Sequence, residues 1–218
     1  MSLHVAPFSV LIAAIGPHWE PGCFEAVELM AETYWKQGYQ VALYEEADLC
    51  YQPYDALGSM RNRALRRALE EGWEYLLYVD NDVLPKPDVL GHMVHAHGPG
   101  FPPVVAPILE YTSGKTWETV MVTKMERDKG IAMVSSVLLS MVLVRTRCFL
   151  PWVFSGFWED AIGTTEDFHW EKLAQGTDIH PWVDTDVVVK VLKDPHFPLE
   201  PGKRPRDKVK EGNPLWVP

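Results

Sequence analysis

The run "VLIAAI" at residues 10–15 is apolar at every position. That pattern predicts a first strand buried on both faces, since a half-exposed strand would alternate. After "GPHW" the period changes: Phe24, Val27, Ala31 and Tyr34 recur at helical spacing, with Pro21 near the start and Gly38 just past the end, which predicts a helix between them. "QVALYEEAD" at 40–48 predicts a second strand. "SMRNRALRRALEEG" at 59–72 predicts a second helix, its apolar stripe formed by Met60, Ala64 and Ala68 and its outer face carrying the pairs Arg66/Glu70 and Arg67/Glu71. Tyr75 to Val79 then gives a third strand, "PDVLGHMVHAHG" at 87–98 a helix, and "VVAPILEY" at 104–111 another buried strand.

Beyond residue 111 the pattern becomes antiparallel in character. "WETVMVTKME" alternates sides, "RDKG" reads as a turn, and "IAMVSSV" as the returning arm of a hairpin. Met141 to Val144 is a further strand. The aromatic-rich "PWVFSGFWEDAIG" follows, then "TTEDFHWEKLAQG", a helix with Thr164 or Thr165 as cap and Gly176 as stop, and last the strand "DTDVVVKVL". Strands alternating with helices predict an α/β fold: a mostly parallel, Rossmann-like sheet flanked by helices, with a small antiparallel hairpin region in the C-terminal half. Residues 1–192 are expected to form one domain. From 193 to 218 six prolines argue against regular structure, so this segment reads as a tail. It is locally basic, either a solvated extension pinned by Trp216 or a clamp on phosphates.

Composition narrows the classes. In 218 residues, 47% apolar and 23% charged, there is enough chain for one sizeable core. A net charge of −10 argues against a protein that coats nucleic acid by general electrostatics. The three cysteines are far apart and form no CxxC pair, so neither a zinc cluster nor a disulfide framework is indicated. The longest apolar run, Met133 to Val144, is shorter than the roughly 20 residues of a membrane helix, and no signal peptide is apparent. A cytoplasmic location is the expectation.

The chemistry concentrates where strands end. In "YLLYVDNDVLPKP" the third strand delivers Asp80, Asn81 and Asp82 to the carboxyl edge of the sheet, the edge at which α/β sheets bind ligands. Two carboxylates two residues apart on an extended chain point the same way and suit a hard cation such as Mg²⁺ or Mn²⁺ whose other positions are filled by phosphates; a solvated acidic turn is the competing account. The preceding helix should bring Arg61 and Asn62 near Asp80. Arg61, read as lying in the first helical turn, would oppose the helix dipole unless an anion compensates. Glu166 and Asp167 open a later helix, where Asp167 fits a capping box with Thr164 and equally fits a general base for an acceptor hydroxyl.

Taken in order over about Val10 to Leu192, "VLIAAIG", "MRNRAL", "YLLYVDNDVLPKPDVL", the hairpin region and "TTEDFHWEKLAQG" resemble the glycosyltransferases of the GT-A fold, most closely the family-2-type nucleotide-sugar enzymes. The resemblance implies a nucleotide-diphosphate sugar as donor partner and Mn²⁺ or Mg²⁺ as cofactor. It implies that Asp82 coordinates the metal, with Asp80 on the ribose or on the metal through water. Arg61 would face the diphosphate, Glu46 or Asp48 would lie near base or ribose, and Gly16 and Asn81 would help to form the nucleotide-sugar site. Asp167 would be the base of an inverting reaction and Glu166 would orient the acceptor.

Many relatives carry a histidine after the last core strand that completes the metal shell. Here "DTDVVVKVLKDPH" has Val191 at that position. His196 or Asp194 would have to fold back to the metal, or Lys190 would bind the diphosphate directly. A small molecule, a protein and a modified DNA base all stay open as acceptor. Three alternatives stand beside this reading: a nucleotidyltransferase of related fold, a sugar-nucleotide binding module without activity, and a haloacid-dehalogenase-type phosphotransferase using Asp80 and Asp82. The last expects its motif on the first strand, whereas two strand-helix units precede it here.

Overall fold

The computed structural model describes residues 8–16, 19–46, 53–97, 103–114, 127–128, 130–134, 137, 140–149 and 181–192. The expected helix at 164–176, the aromatic stretch at 151–163 and the tail from 193 lie outside them. The described elements run β1 (Ser9–Ile15), α1 (Cys23–Lys36), β2 (Gln40–Glu46), α2 (Pro53–Glu70), β3 (Tyr75–Asp80), β4 (Val83–Leu84), α3 (Val89–His97), β5 (Val104–Tyr111), β6 (Arg127–Asp128), β7 (Ile131–Met133), β8 (Met141–Arg145) and β9 (Pro181–Val191).

The nine described strands form one sheet in the order β2-β1-β3-β8-β5-β9-β7-β6, with β4 paired to β9. The pairs β1/β2, β1/β3 and β5/β9 are parallel. Between the two parallel blocks lies β8, antiparallel to both β3 and β5. β1 and β3 are therefore the doubly covered parallel strands that the continuous apolar runs demand, with β2 a partly buried edge, and the antiparallel part reaches further into the sheet than a C-terminal hairpin.

Two cores cover the two faces. Val10, Ile12, Leu77, Val79, Leu109 and Val189 pack with α1 and α3, while Leu11, Ala13, Leu76, Tyr78, Val104 and Val142 pack with Met60, Ala64 and Ala68 of α2. The period-2 alternation of each strand divides its residues between the cores. On the first face α1 and α3 are joined by Tyr34, whose hydroxyl donates to the Asp88 carbonyl (2.9 Å) and accepts from the Gly91 N–H (2.8 Å). A Cβ at Gly91 would collide with the Tyr34 oxygen, so the helix keeps a glycine there despite its conformational cost. Burial pushes the Tyr34 hydroxyl above its ordinary pKa.

Three boundaries differ from the sequence expectation. Helix α2 begins at Pro53 and not near residue 59, because "PYDALG" lacks the clean apolar stripe by which the later turns are recognised. Strand β9 begins at Pro181, with the Pro181 carbonyl accepting the Val134 N–H, a start that suits a residue without its own N–H. Arg127 and Asp128, read as part of a turn, are strand; Asp128 pairs with Ile131 across the turn that Gly130 completes at φ +82°.

The β5/β9 ladder breaks once. Pro107 pairs with Asp184 but Ile108 pairs with Val188, so Thr185 to Val187 bulge out of β9. Pro107 cannot donate to the ladder, and the bulged residues find other partners. Thr185 donates its N–H (2.6 Å) and its hydroxyl (2.7 Å) to the Gly130 carbonyl, and the Asp186 N–H donates to Asp184 Oδ1 (3.0 Å).

Candidate active site

Register places several of the expected site residues on one edge. Ile15 of β1 pairs with Glu46 on one side and with Asp80 on the other, so Gly16, the backbone of Glu46 and Asp80 leave the sheet side by side. Gly16 adopts φ +117°, and a Cβ there would stand 3.0 Å from Asn81 Cγ and Nδ2. Both the left-handed conformation and the close approach call for glycine. The Asp80-Asn81-Asp82 turn is thereby packed against the end of β1, and its backbone is held on three sides: the Asp80 N–H donates to the Ser140 carbonyl (2.8 Å), the Asn81 carbonyl accepts from Glu20 N–H (2.9 Å) and the Asp82 carbonyl from Leu192 N–H (2.9 Å).

Asp80 meets the guanidinium of Arg61 at 2.6 Å. The arginine side chain is almost fully buried, 2% exposed, against 16% for that of Asp80. The helix that carries it is fixed to the strand a second time, since the Tyr78 hydroxyl donates to the Arg61 carbonyl (3.0 Å), and complete burial of that hydroxyl pushes its pKa well up. Two expectations change. Arg61 is in the middle of an 18-residue helix and not in its first turn, so the dipole argument for an anion at this residue falls away; Asp80 is a carboxylate partner at 2.6 Å. The eight residues before Arg61 add about 12 Å of helix, at 1.5 Å per residue. Asp80 ends β3 while Asn81 and Asp82 form a turn, so the two carboxylates are presented by a corner and not by a continuous strand.

Asn62, next to Arg61, is 8% exposed, and its Oδ1 has no hydrogen-bond partner among the described residues. Val191, at the position where relatives have a histidine, is 3% exposed and packs in the α1/α3 core with Val83. Its side chain is part of that core. Lys190, its neighbour, is exposed. Asp48, Glu166, Asp167, Asp194 and His196 lie outside the described residues, so the structure brings together Gly16, Asn81, Arg61, Asp80 and Asp82, with the backbone of Glu46, and leaves the remaining candidates unplaced. The sequence reading missed the Arg61–Asp80 pair and the Leu192 tie to Asp82. The first was within reach, because helix direction already set Arg61 beside Asp80. The second joins residues 110 positions apart and left no local signal.

Among the described residues no group of three or more His, Cys, Asp or Glu gathers to hold a metal ion. The fit to a divalent cation is nevertheless sound in one form. Hard cations of this kind accept one or two protein carboxylates when substrate phosphates supply the rest. Of the two carboxylates, Asp80 gives Oδ1 to Arg61.

No family model matches the sequence, and no curated protein matches it. Solved structures do match. A glycosyltransferase involved in the glycosylation of the major capsid of PBCV-1 aligns with a TM-score of 0.50 at 15% identity, over 90% of this chain and 96% of that one. GalNAc-T7, solved with UDP, GalNAc and Mn²⁺, aligns with a TM-score of 0.55 at 10% identity over 93% of this chain; the match spans 48% of that protein. The chain has the GT-A fold of nucleotide-sugar glycosyltransferases. No helix among the described residues is long and apolar enough to cross a membrane.

Proposed function

We propose that this protein is a glycosyltransferase that moves a sugar from a nucleotide-diphosphate donor to an acceptor hydroxyl with the help of Mn²⁺ or Mg²⁺. The observation that carries the reading is the convergence of Gly16, Asn81, Asp80 and Asp82 at the carboxyl edge of a GT-A sheet, with a buried arginine drawn to the same point. Likeness to a structure that holds UDP, GalNAc and Mn²⁺ supports it.

Each residue has a distinct task. Arg61 neutralises Asp80 and fixes its carboxylate, so the corner keeps its shape before a ligand arrives. Gly16 and Asn81 form the floor on which base and ribose rest, joined by Glu46 or Asp48 from the end of β2. Asp82 would hold the cation, which when bound supplies Lewis-acid stabilisation of the departing diphosphate. Asp167 would take the proton of the acceptor hydroxyl as it attacks the anomeric carbon, and Glu166 would orient that acceptor. Residues 1–192 serve as the catalytic unit and 193–218 as an appended tail.

The test is product analysis after incubation with a panel of nucleotide sugars and Mn²⁺. Release of a nucleoside diphosphate by the wild type, with Asp167→Asn still binding donor but at least a hundredfold slower in release, on the order of the contribution of a positioned base, is the expected outcome. Release of pyrophosphate from a nucleoside triphosphate would assign nucleotidyl transfer instead.

A further inference from the structure

We infer that Lys190 is a diphosphate-binding residue of the donor site, taking over by charge part of the task that a third metal ligand performs elsewhere; the inference rests on the glycosyltransferase reading above. Strand register places Lys190 beside Asp82. β4 and β9 are antiparallel, with Val83 opposite Val191 and Leu84 opposite Lys190, and the ladder continues to the Asp82 carbonyl, which accepts the Leu192 N–H at 2.9 Å. Residues directly opposite in such a pair share a face, and neighbours along a strand alternate. Val83 and Val191 both lie in the α1/α3 core. Leu84 and Lys190 therefore project to the other face, at the end of the pair where the turn carrying Asp82 enters β4. Lys190 is the diagonal neighbour of Asp82, at a Cα separation of about 7–8 Å, and its four-carbon stem spans that gap.

The chemistry follows from what is missing as much as from what is present. A histidine at 191 would be turned into the apolar core by this register, so position 191 cannot supply a ligand without unpairing β4. The exposed residue beside it is a cation. A diphosphate at Asp82 brings negative charge that Asp82 itself does not offset, and an ammonium within reach of both does. Glu110, in register with Lys190 on β5, competes for the same ammonium. If that pair is all Lys190 does, its loss changes stability and leaves ligand binding alone.

The experiment is calorimetric titration of the full chain with UDP, GDP, ADP, CDP and dTDP, each with Mn²⁺ and with EDTA, alongside the matching nucleosides. For the diphosphate that wild type binds, Lys190→Ala should lose about tenfold in affinity in EDTA, the size of a charge-assisted hydrogen bond, and a smaller factor with Mn²⁺. Nucleoside affinity should not move, and Lys190→Arg should restore diphosphate binding. Equal diphosphate affinity for Lys190→Ala and wild type in EDTA overturns the inference, as does wild-type binding that vanishes entirely without Mn²⁺. Wild type that binds none of the diphosphates in either condition refutes the glycosyltransferase reading itself, a result distinguishable from the other two.

Discussion

The Arg61–Asp80 pair gives a prediction with an unusual asymmetry. Its two members are unequally buried: the arginine side chain is 2% exposed and the aspartate 16%. Replacing Asp80 by Asn keeps shape and an acceptor oxygen but removes the charge, leaving a guanidinium that water can scarcely reach. Breaking a buried pair in this way costs about 3–5 kcal/mol, and the retained amide oxygen puts the expected loss near ~3 kcal/mol. Replacing Arg61 by Met leaves instead a carboxylate that is partly open to solvent, so the loss should be smaller, about 1–2 kcal/mol. The double variant Arg61→Met/Asp80→Asn removes both members of the pair and should be more stable than Asp80→Asn alone, because the buried cation goes with its carboxylate. Urea unfolding of the four proteins measures this directly. In thermal melts the Asp80→Asn change should appear as a drop of roughly 6–12 °C, at 2–4 °C per kcal/mol for a chain of this size. Additive losses, or Arg61→Met as the more damaging single change, would refute the claim that an ion pair governs this corner.

Further predictions concern pH and the second face of the sheet. Burial raises the pKa of Tyr34, Tyr75 and Tyr78 above the free value of 10.0. Each therefore contributes stability that is complete below pH 10 and is lost as the pH rises through its folded value, so denaturant midpoints should hold to about pH 9 and fall steeply above pH 10. Asp184, 5% exposed at the β9 bulge, is also raised, by burial first and by Asp186 among the lesser causes, with His92 and His95 and the Asp186 N–H opposing. An acid with a raised folded pKa opposes folding once the unfolded chain has ionised, so Asp184→Asn should raise the urea midpoint at neutral pH and lose that advantage near pH 3. An unchanged or lower midpoint at neutral pH would count against it.

How much of this was legible in the chain depends on the range of the interaction. The β1 run at 10–15 and the strand ending in Asp80 are visible because both faces are buried and every position must be apolar. Helix α1 is visible because Val27 and Tyr34 mark a single face. The insertion of β8 between β3 and β5 is not visible: Val142 and Val144 read as strand, but nothing local says which neighbours they take. The same holds for the site. Arg61 could be placed near Asp80 from helix direction alone, whereas its pairing depends on α2 starting at Pro53 and on Tyr78 holding its backbone. That Val191 is core and Lys190 is not follows from the β4/β9 register, which hydrophobicity in "DVVVKV" hints at but does not fix.

The central claim is that Asp82, on a corner prepared by Arg61 and Asp80, holds the cation that binds the donor diphosphate. It is tested most directly by the Mn²⁺ dependence of nucleoside-diphosphate release in wild type and Asp82→Ala. Expected are Mn²⁺-stimulated release by the wild type and an Asp82→Ala protein that folds normally yet shows no stimulation at any Mn²⁺ concentration. An Asp82→Ala protein that is stimulated as strongly as wild type would contradict it.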